Sequence, residues 1–144
     1  MKDIRDSVEI DVPVEDFYAV ITDFESYPSF LNDVDSARLL SRRGEVYDVE
    51  FTVHIIRRLD YVLRLVGEPN SNLTWSFLSG QMFKKNDGSW TLEDLGGRTR
   101  ATYTVDVELN RFVPKAIGAR LVQFRLPSML QEWKQRAESL AGGG

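Results

Sequence analysis

Of the residue types that ordinarily do covalent or acid-base chemistry, this 144-residue chain has one histidine and no cysteine, and the placement of the others does not favour such chemistry. His54 is the single histidine. In the alternating run from Val46 to Ile56 it shares parity with Asp48, Glu50 and Thr52 on the outward face, which predicts a solvated imidazole and not a general base. Cysteine is absent, which excludes thiolate nucleophiles, thiolate metal sites and structural disulfides. With one histidine a metal would need carboxylates, and Asp33 with Asp35, or Glu93 with Asp94, are too scattered to suggest a site. No defensible Ser-His-Asp arrangement, GxGxxG motif or phosphate loop is present, and Gly96-Gly97 reads as a turn. No catalytic residue, metal or cofactor is assigned.

What the chain does offer is a set of aromatic side chains at inward-facing positions. Tyr47, Phe51, Tyr61, Trp75, Phe77, Trp90 and Tyr103 fall on the apolar faces of alternating segments, and Phe124, Met129 and Trp133 fall in a helical segment. Aromatic walls carrying a few phenols suit an apolar ligand with a polar head. The same set would also fill a solid core. Periodicity leaves both readings open, and Tyr47, Tyr61 and Tyr103 would either meet a ligand head group or bond to the backbone.

The elements that must position these rings are one long helix and a run of strands. From Pro114 to Ala141, Ile117, Leu121, Phe124, Leu126, Leu130, Trp133, Ala137 and Leu140 recur at steps of three and four, so one stripe faces an apolar surface. That run would be about 40 Å long. Gly118 and Pro127 predict local bending, and the segment Asn110 to Gly118 reads either as part of that bend or as a gate at a cavity mouth. Ahead of it, Ile4 to Val12 alternates as a first strand, and Val14 to Thr22 and Phe24 to Leu31 read as two short helices separated around Pro28. Strands follow at Ala37 to Ser41, Val46 to Ile56, Leu59 to Val66, Leu73 to Phe77 and Arg98 to Leu109. Asn86-Asp87-Gly88 reads as a turn between Met82-Phe83-Lys84 and Trp90-Thr91-Leu92. One strand, two short helices, consecutive antiparallel strands and a long terminal helix make an α+β order: a curved sheet wrapped around the C-terminal helix.

Length fits a single domain over 1–144, with Gly142, Gly143 and Gly144 as a disordered tail. The net charge of −4 argues against a nucleic-acid partner, which needs a basic surface to release phosphate counterions. The opening MKDIRDSVEI has acidic residues and no apolar core, so it does not read as a signal peptide, and no apolar run reaches membrane-spanning length. With the missing cysteines this points to a cytoplasmic protein, with peripheral contact at the inner membrane face left open, as is the oligomeric state.

Val12-Pro13-Val14-Glu15-Asp16-Phe17-Tyr18 and Thr22-Asp23-Phe24-Glu25-Ser26-Tyr27-Pro28-Ser29-Phe30-Leu31 resemble the opening of the START/polyketide cyclase-like (SRPBCC) superfamily. Trp75-Ser76-Phe77, Gly80, Phe83, Gly88-Ser89-Trp90 and Thr99-Arg100-Ala101-Thr102-Tyr103 are similar to its sheet strands, in the branch of coenzyme Q-binding START and polyketide cyclase/dehydrase-like proteins. The resemblance implies the helix-grip fold and a cavity between sheet and helix. It implies as partner a hydrophobic small molecule, whether lipid, quinone or polyketide-like, with the ten aromatic and methionine positions above as ligand-binding residues. Cyclase or dehydratase chemistry, and a ribosome- or protein-interaction role, are the alternatives it carries. The outward parity of the charged residues counsels against the enzyme.

Overall fold

The computed structural model describes residues 4–54, 58–81, 83–111, 114 and 126–143. Strand β1 (Ile4–Ile10) leads into helix α1 (Val14–Ile21), whose first turn carries Glu15 and Asp16 at the positive end of the helix dipole. A 3-10 helix, Phe24–Ser29, follows with Pro28 inside it. Tyr27, which the following proline bars from ordinary α geometry, sits buried in this tighter turn.

Six strands come next: β2 (Val34–Arg43), β3 (Val46–His54), β4 (Arg58–Glu68), β5 (Asn72–Gly80), β6 (Phe83–Asp94) and β7 (Thr99–Leu109). The seven strands form one antiparallel sheet in the order β1-β7-β6-β5-β4-β3-β2. Each neighbour follows in sequence except β1, which closes on β7. Gly44, at φ 61°, makes the β2–β3 turn.

Asn86-Asp87-Gly88 is not a turn. It lies inside β6, paired with Val107, Asp106 and Val105 of β7, and Gly88 is not among the positive-φ glycines that a tight hairpin would require. The reversal occurs near Gly80, at φ 141°, so β6 is continuous and longer than its sequence suggests. Between β5 and β6 the ladder is short, running only from Asn72↔Thr91 to Trp75↔Gly88. Beyond it the Asp87 carboxylate accepts the Phe77 backbone N–H at 3.2 Å, replacing a strand partner.

The C-terminal helix is described over Leu126–Gly143 and is called α2 here. Pro114, where the sequence predicts the helix to begin, lies in no helix, and 115–125 fall outside the described residues, with Gly118, Phe124 and most of the expected gate. The helix continues through Gly142 and Gly143, two of the three residues expected as a tail. Leu130, Trp133 and Ala137, at steps of three and four, are almost fully buried against the concave face of the sheet and α1. Polar contacts fix its position: Lys134 Nζ donates to the Glu9 carbonyl at 2.9 Å, and Glu138 accepts the Asp11 N–H at 2.9 Å. No helix among the described residues is long and apolar enough to cross a membrane.

Candidate ligand cavity

Period-two alternation turns Tyr47, Val49, Phe51 and Val53 of β3 and Leu63 and Leu65 of β4 into the concave side, and all are buried. The cross-strand pairs Phe51↔Tyr61, Leu65↔Trp75 and Trp90↔Tyr103 carry this apolar face across the sheet. Trp133 enters from α2 at the centre. Its ring lies 4.7 Å from Tyr27, 4.9 Å from Phe30, 5.6 Å from Trp90 and 6.5 Å from Phe17, mostly edge to face.

These rings do not fill the space between sheet and helix. A cavity of about 110 Å³ remains, walled by Phe51, Tyr61, Leu63, Leu65, Leu73, Trp75, Asn86, Trp90 and Tyr103 from the sheet. Met129 and Trp133 from α2, with Tyr27, Leu31 and Val34, complete the described lining. All three tryptophans of the chain are on this wall. The described lining contains no carboxylate, imidazole, ammonium or guanidinium.

Of the ten residues the sequence points to, seven border the cavity: Phe51, Tyr61, Trp75, Trp90, Tyr103, Met129 and Trp133. Phe124 lies outside the described residues. Tyr47 and Phe77 face the concave side but do not border the cavity. Tyr47 sits at one end of β3, packed on Phe24 with centroids 5.0 Å apart and its hydroxyl bonded to Glu45 at 3.2 Å. Phe77, opposite Leu63, packs both against the main core and, with Phe83 at 6.1 Å, in a small adjoining apolar cluster. Alternation tells which face a side chain takes, not how far along the strand the helix leaves room.

Asn86 is the residue that reading the sequence misses. It is 7% exposed, and its Oδ1 accepts the indole N–H of Trp75 at 3.2 Å, holding that ring in the wall. Counting back by two from Trp90 along a continuous strand would have turned Asn86 inward. The apparent Asn-Asp-Gly turn concealed it.

Three phenols line the cavity, and burial pushes Tyr61 and Tyr103 above the ordinary value of 10.0; Tyr27 is raised well above it, first by burial and then by the neighbouring phenols. They stay neutral at physiological pH. Tyr27 donates to the Ile21 carbonyl at 2.5 Å. Away from the cavity, Glu45 accepts Tyr18 at 2.8 Å as well as Tyr47, and the hydrogen bond from Tyr18 is the main cause of its lowered pKa. Gly67 permits this contact, because a β-carbon there would collide with the Tyr18 hydroxyl.

His54 lies on the outer face, its side chain 59% exposed and Nδ1 3.8 Å from Asp35, which also pairs with Arg58 at 3.4 Å. Arg42 lies over the Tyr47 ring, 5.0 Å from its centroid. Among the described residues no three histidine, aspartate or glutamate side chains are grouped to hold a metal ion.

A curved seven-stranded antiparallel sheet gripping a C-terminal helix, with short helices after the first strand, is the helix-grip architecture of the START superfamily. Residues 10–132 match the family model described as "Polyketide cyclase / dehydrase and lipid transport", and the chain belongs to that family. Among solved structures it is similar to a START superfamily protein from Mycobacterium smegmatis, with 20% identity over 97% of this chain and 99% of that one and a TM-score of 0.86. It is also similar to the Zhui aromatase/cyclase from Streptomyces sp. R1128, with 17% identity over 99% and 98% of the two chains and a TM-score of 0.87. A STAR-related lipid transfer protein from Xanthomonas axonopodis matches with 15% identity over 92% and 84% of the two chains and a TM-score of 0.80. No curated protein matches the chain.

Proposed function

We propose that this protein binds and carries a hydrophobic small molecule, of lipid, quinone or polyketide type, in the cavity between sheet and α2. The observation that carries this reading is a void of about 110 Å³ in the middle of the fold, walled by aromatic and aliphatic side chains with no charged group in its described lining. An empty apolar space is costly to maintain, because its lining forgoes dispersion contacts, and an apolar occupant recovers them. A dry engineered cavity of about 150 Å³ admits benzene, so this smaller one, about 110 Å³, has room for one small ring or a short apolar segment at most, and a longer ligand would leave its remainder outside. Burial of such a ligand contributes about 25 cal/mol per Å² of apolar surface. The START and lipid-transfer relatives point the same way.

The aromatase/cyclase relative suggests a second reading, an enzyme of the cyclase or dehydratase type. Cyclisation needs an acid or base that changes protonation near neutral pH. The described lining supplies neutral phenols, an amide and three indoles in its place, which favours carriage. A carrier of this kind would work in the cytoplasm, with transient contact at a membrane to load or release its cargo.

Native mass spectrometry of protein purified from cells, followed by organic extraction, tests the proposal. A co-purified lipid- or quinone-sized adduct is expected. An apo spectrum that stays unchanged when a panel of quinones and small aromatic compounds is added would overturn it.

A further inference from the structure

The cavity wall holds four hydrogen-bonding groups that find no partner among the described residues. The hydroxyls of Tyr61 and Tyr103 make no hydrogen bond to any described residue, unlike that of Tyr27, which is bound to Ile21. Asn86 accepts the Trp75 indole on Oδ1, and its Nδ2 has no acceptor among the described residues. Trp133, 3% exposed, carries a buried Nε1 that also lacks an acceptor among them.

All four groups can donate, and two of them, the amide N–H and the indole N–H, can do nothing else. Trp133 Nε1 is fully buried, whereas Tyr61, Tyr103 and Asn86 present their donating groups on the cavity lining, so the complementary occupant brings acceptors to donors that no described residue engages. A carboxylate would also accept, but it would lose its hydration beside a described lining that holds no countercharge. The Tyr61 and Tyr103 phenols, unbonded among the described residues, are close enough for Tyr61 to act electrostatically on Tyr103, and burial holds each in its neutral, donating form.

We propose that the ligand, or the part of it seated here, is a neutral ring-sized group bearing at least one carbonyl-type oxygen, received by the hydroxyls of Tyr61 and Tyr103 and the amide of Asn86. This rests on the cavity-binding reading above and adds to it a chemical class.

Acetophenone, ethylbenzene and benzoate serve as probes, matched in ring and differing in the acceptor. Their affinities are measured by ligand-observed NMR or calorimetry for the wild type and for the Tyr61→Phe/Tyr103→Phe double variant. Removal of both hydroxyls should weaken acetophenone about tenfold or more and leave ethylbenzene within about twofold, the latter also showing that the variant is folded. Benzoate should bind at least about tenfold more weakly than acetophenone to the wild type. If acetophenone and ethylbenzene change in parallel, or benzoate matches acetophenone, the acceptor assignment fails while the cavity reading stands. If none of the three binds the wild type, the cavity reading fails with it. A second readout needs no variant: the infrared carbonyl stretch of bound, isotope-labelled acetophenone should lie below its position in hexane. An unshifted band overturns the proposal.

Discussion

Gly88 is the point at which one methyl group would most disturb the cavity wall. It pairs with Trp75 across β5 and β6, and the indole lies against its α-carbon. A β-carbon at Gly88 would stand 2.5 Å from the carbonyl oxygen of Thr104 and nearer still to Trp75 Cζ2. The oxygen belongs to the backbone of β7 and cannot turn aside, so the β6–β7 pairing must open there and the indole must move as well. Forcing a methyl into packed surroundings costs about 1–3 kcal/mol. Moving the indole also sacrifices its hydrogen bond to Asn86, about 1 kcal/mol, and its contact with Tyr103, 5.4 Å away, worth about 0.5–1.5 kcal/mol. The entropy gained in replacing glycine offsets about 0.4–1 kcal/mol. Gly88→Ala should therefore destabilise the protein by about 2–4 kcal/mol, a large share of a typical domain's total. Equilibrium urea unfolding at neutral pH would register this as a lower midpoint at unchanged slope. In a Trp75→Leu background the same substitution should cost at least about 1 kcal/mol less, because the clashing ring is gone. A Gly88→Ala protein within about 0.5 kcal/mol of wild type would refute the packing argument.

Three further outcomes follow from the same geometry. Glu45→Gln should cost about 1 kcal/mol, since the carboxylate accepts two phenols but is 34% exposed. Because its pKa is lowered from 4.5 in the folded state, that contribution is complete above 4.5 and is lost as the pH falls through the folded value. Urea midpoints for wild type and variant should accordingly converge on acidification, and a gap that widens would contradict this sign. All five tyrosines are raised above 10.0, so their stabilisation is complete below that pH and declines above it. In a spectrophotometric titration phenolate absorbance should appear only together with alkaline unfolding, and tyrosines ionising near pH 10 in the folded protein would contradict the burial. Finally, Trp133→Ala should cost about 3–5 kcal/mol, as expected for a large buried ring at the hub of an aromatic cluster, and a loss under about 1 kcal/mol by urea unfolding would show that the ring is not so placed.

The sheet was legible because the strands between its two edges bury one face. Tyr47, Val49, Phe51 and Val53 of β3, and Ala101 and Val105 of β7, are buried as their alternation predicts. The helical stripe of Leu130, Trp133 and Ala137 was legible for the same reason at a different period. What alternation could not convey was position along the face, which is why Tyr47 and Phe77 point inward yet lie away from the cavity. Nor could local chemistry reveal Asn86, because a sequence that favours a hairpin was overridden by pairing with β7 over the whole length of β6. The Glu45–Tyr18–Tyr47 cluster joins Tyr18 of α1 to a pair 27 residues further on, and nothing in their local sequences announces it.

The three indole N–H groups of Trp75, Trp90 and Trp133 all belong to the cavity wall and give three separable signals in a nitrogen-15 correlation spectrum. Titration with ethylbenzene should move all three along one common binding curve, while outer-face amides such as those of Asp48 and Arg64 stay in place. Indole signals that remain fixed at saturating ethylbenzene would mean that the space between sheet and helix admits no apolar guest, contradicting the account at its centre.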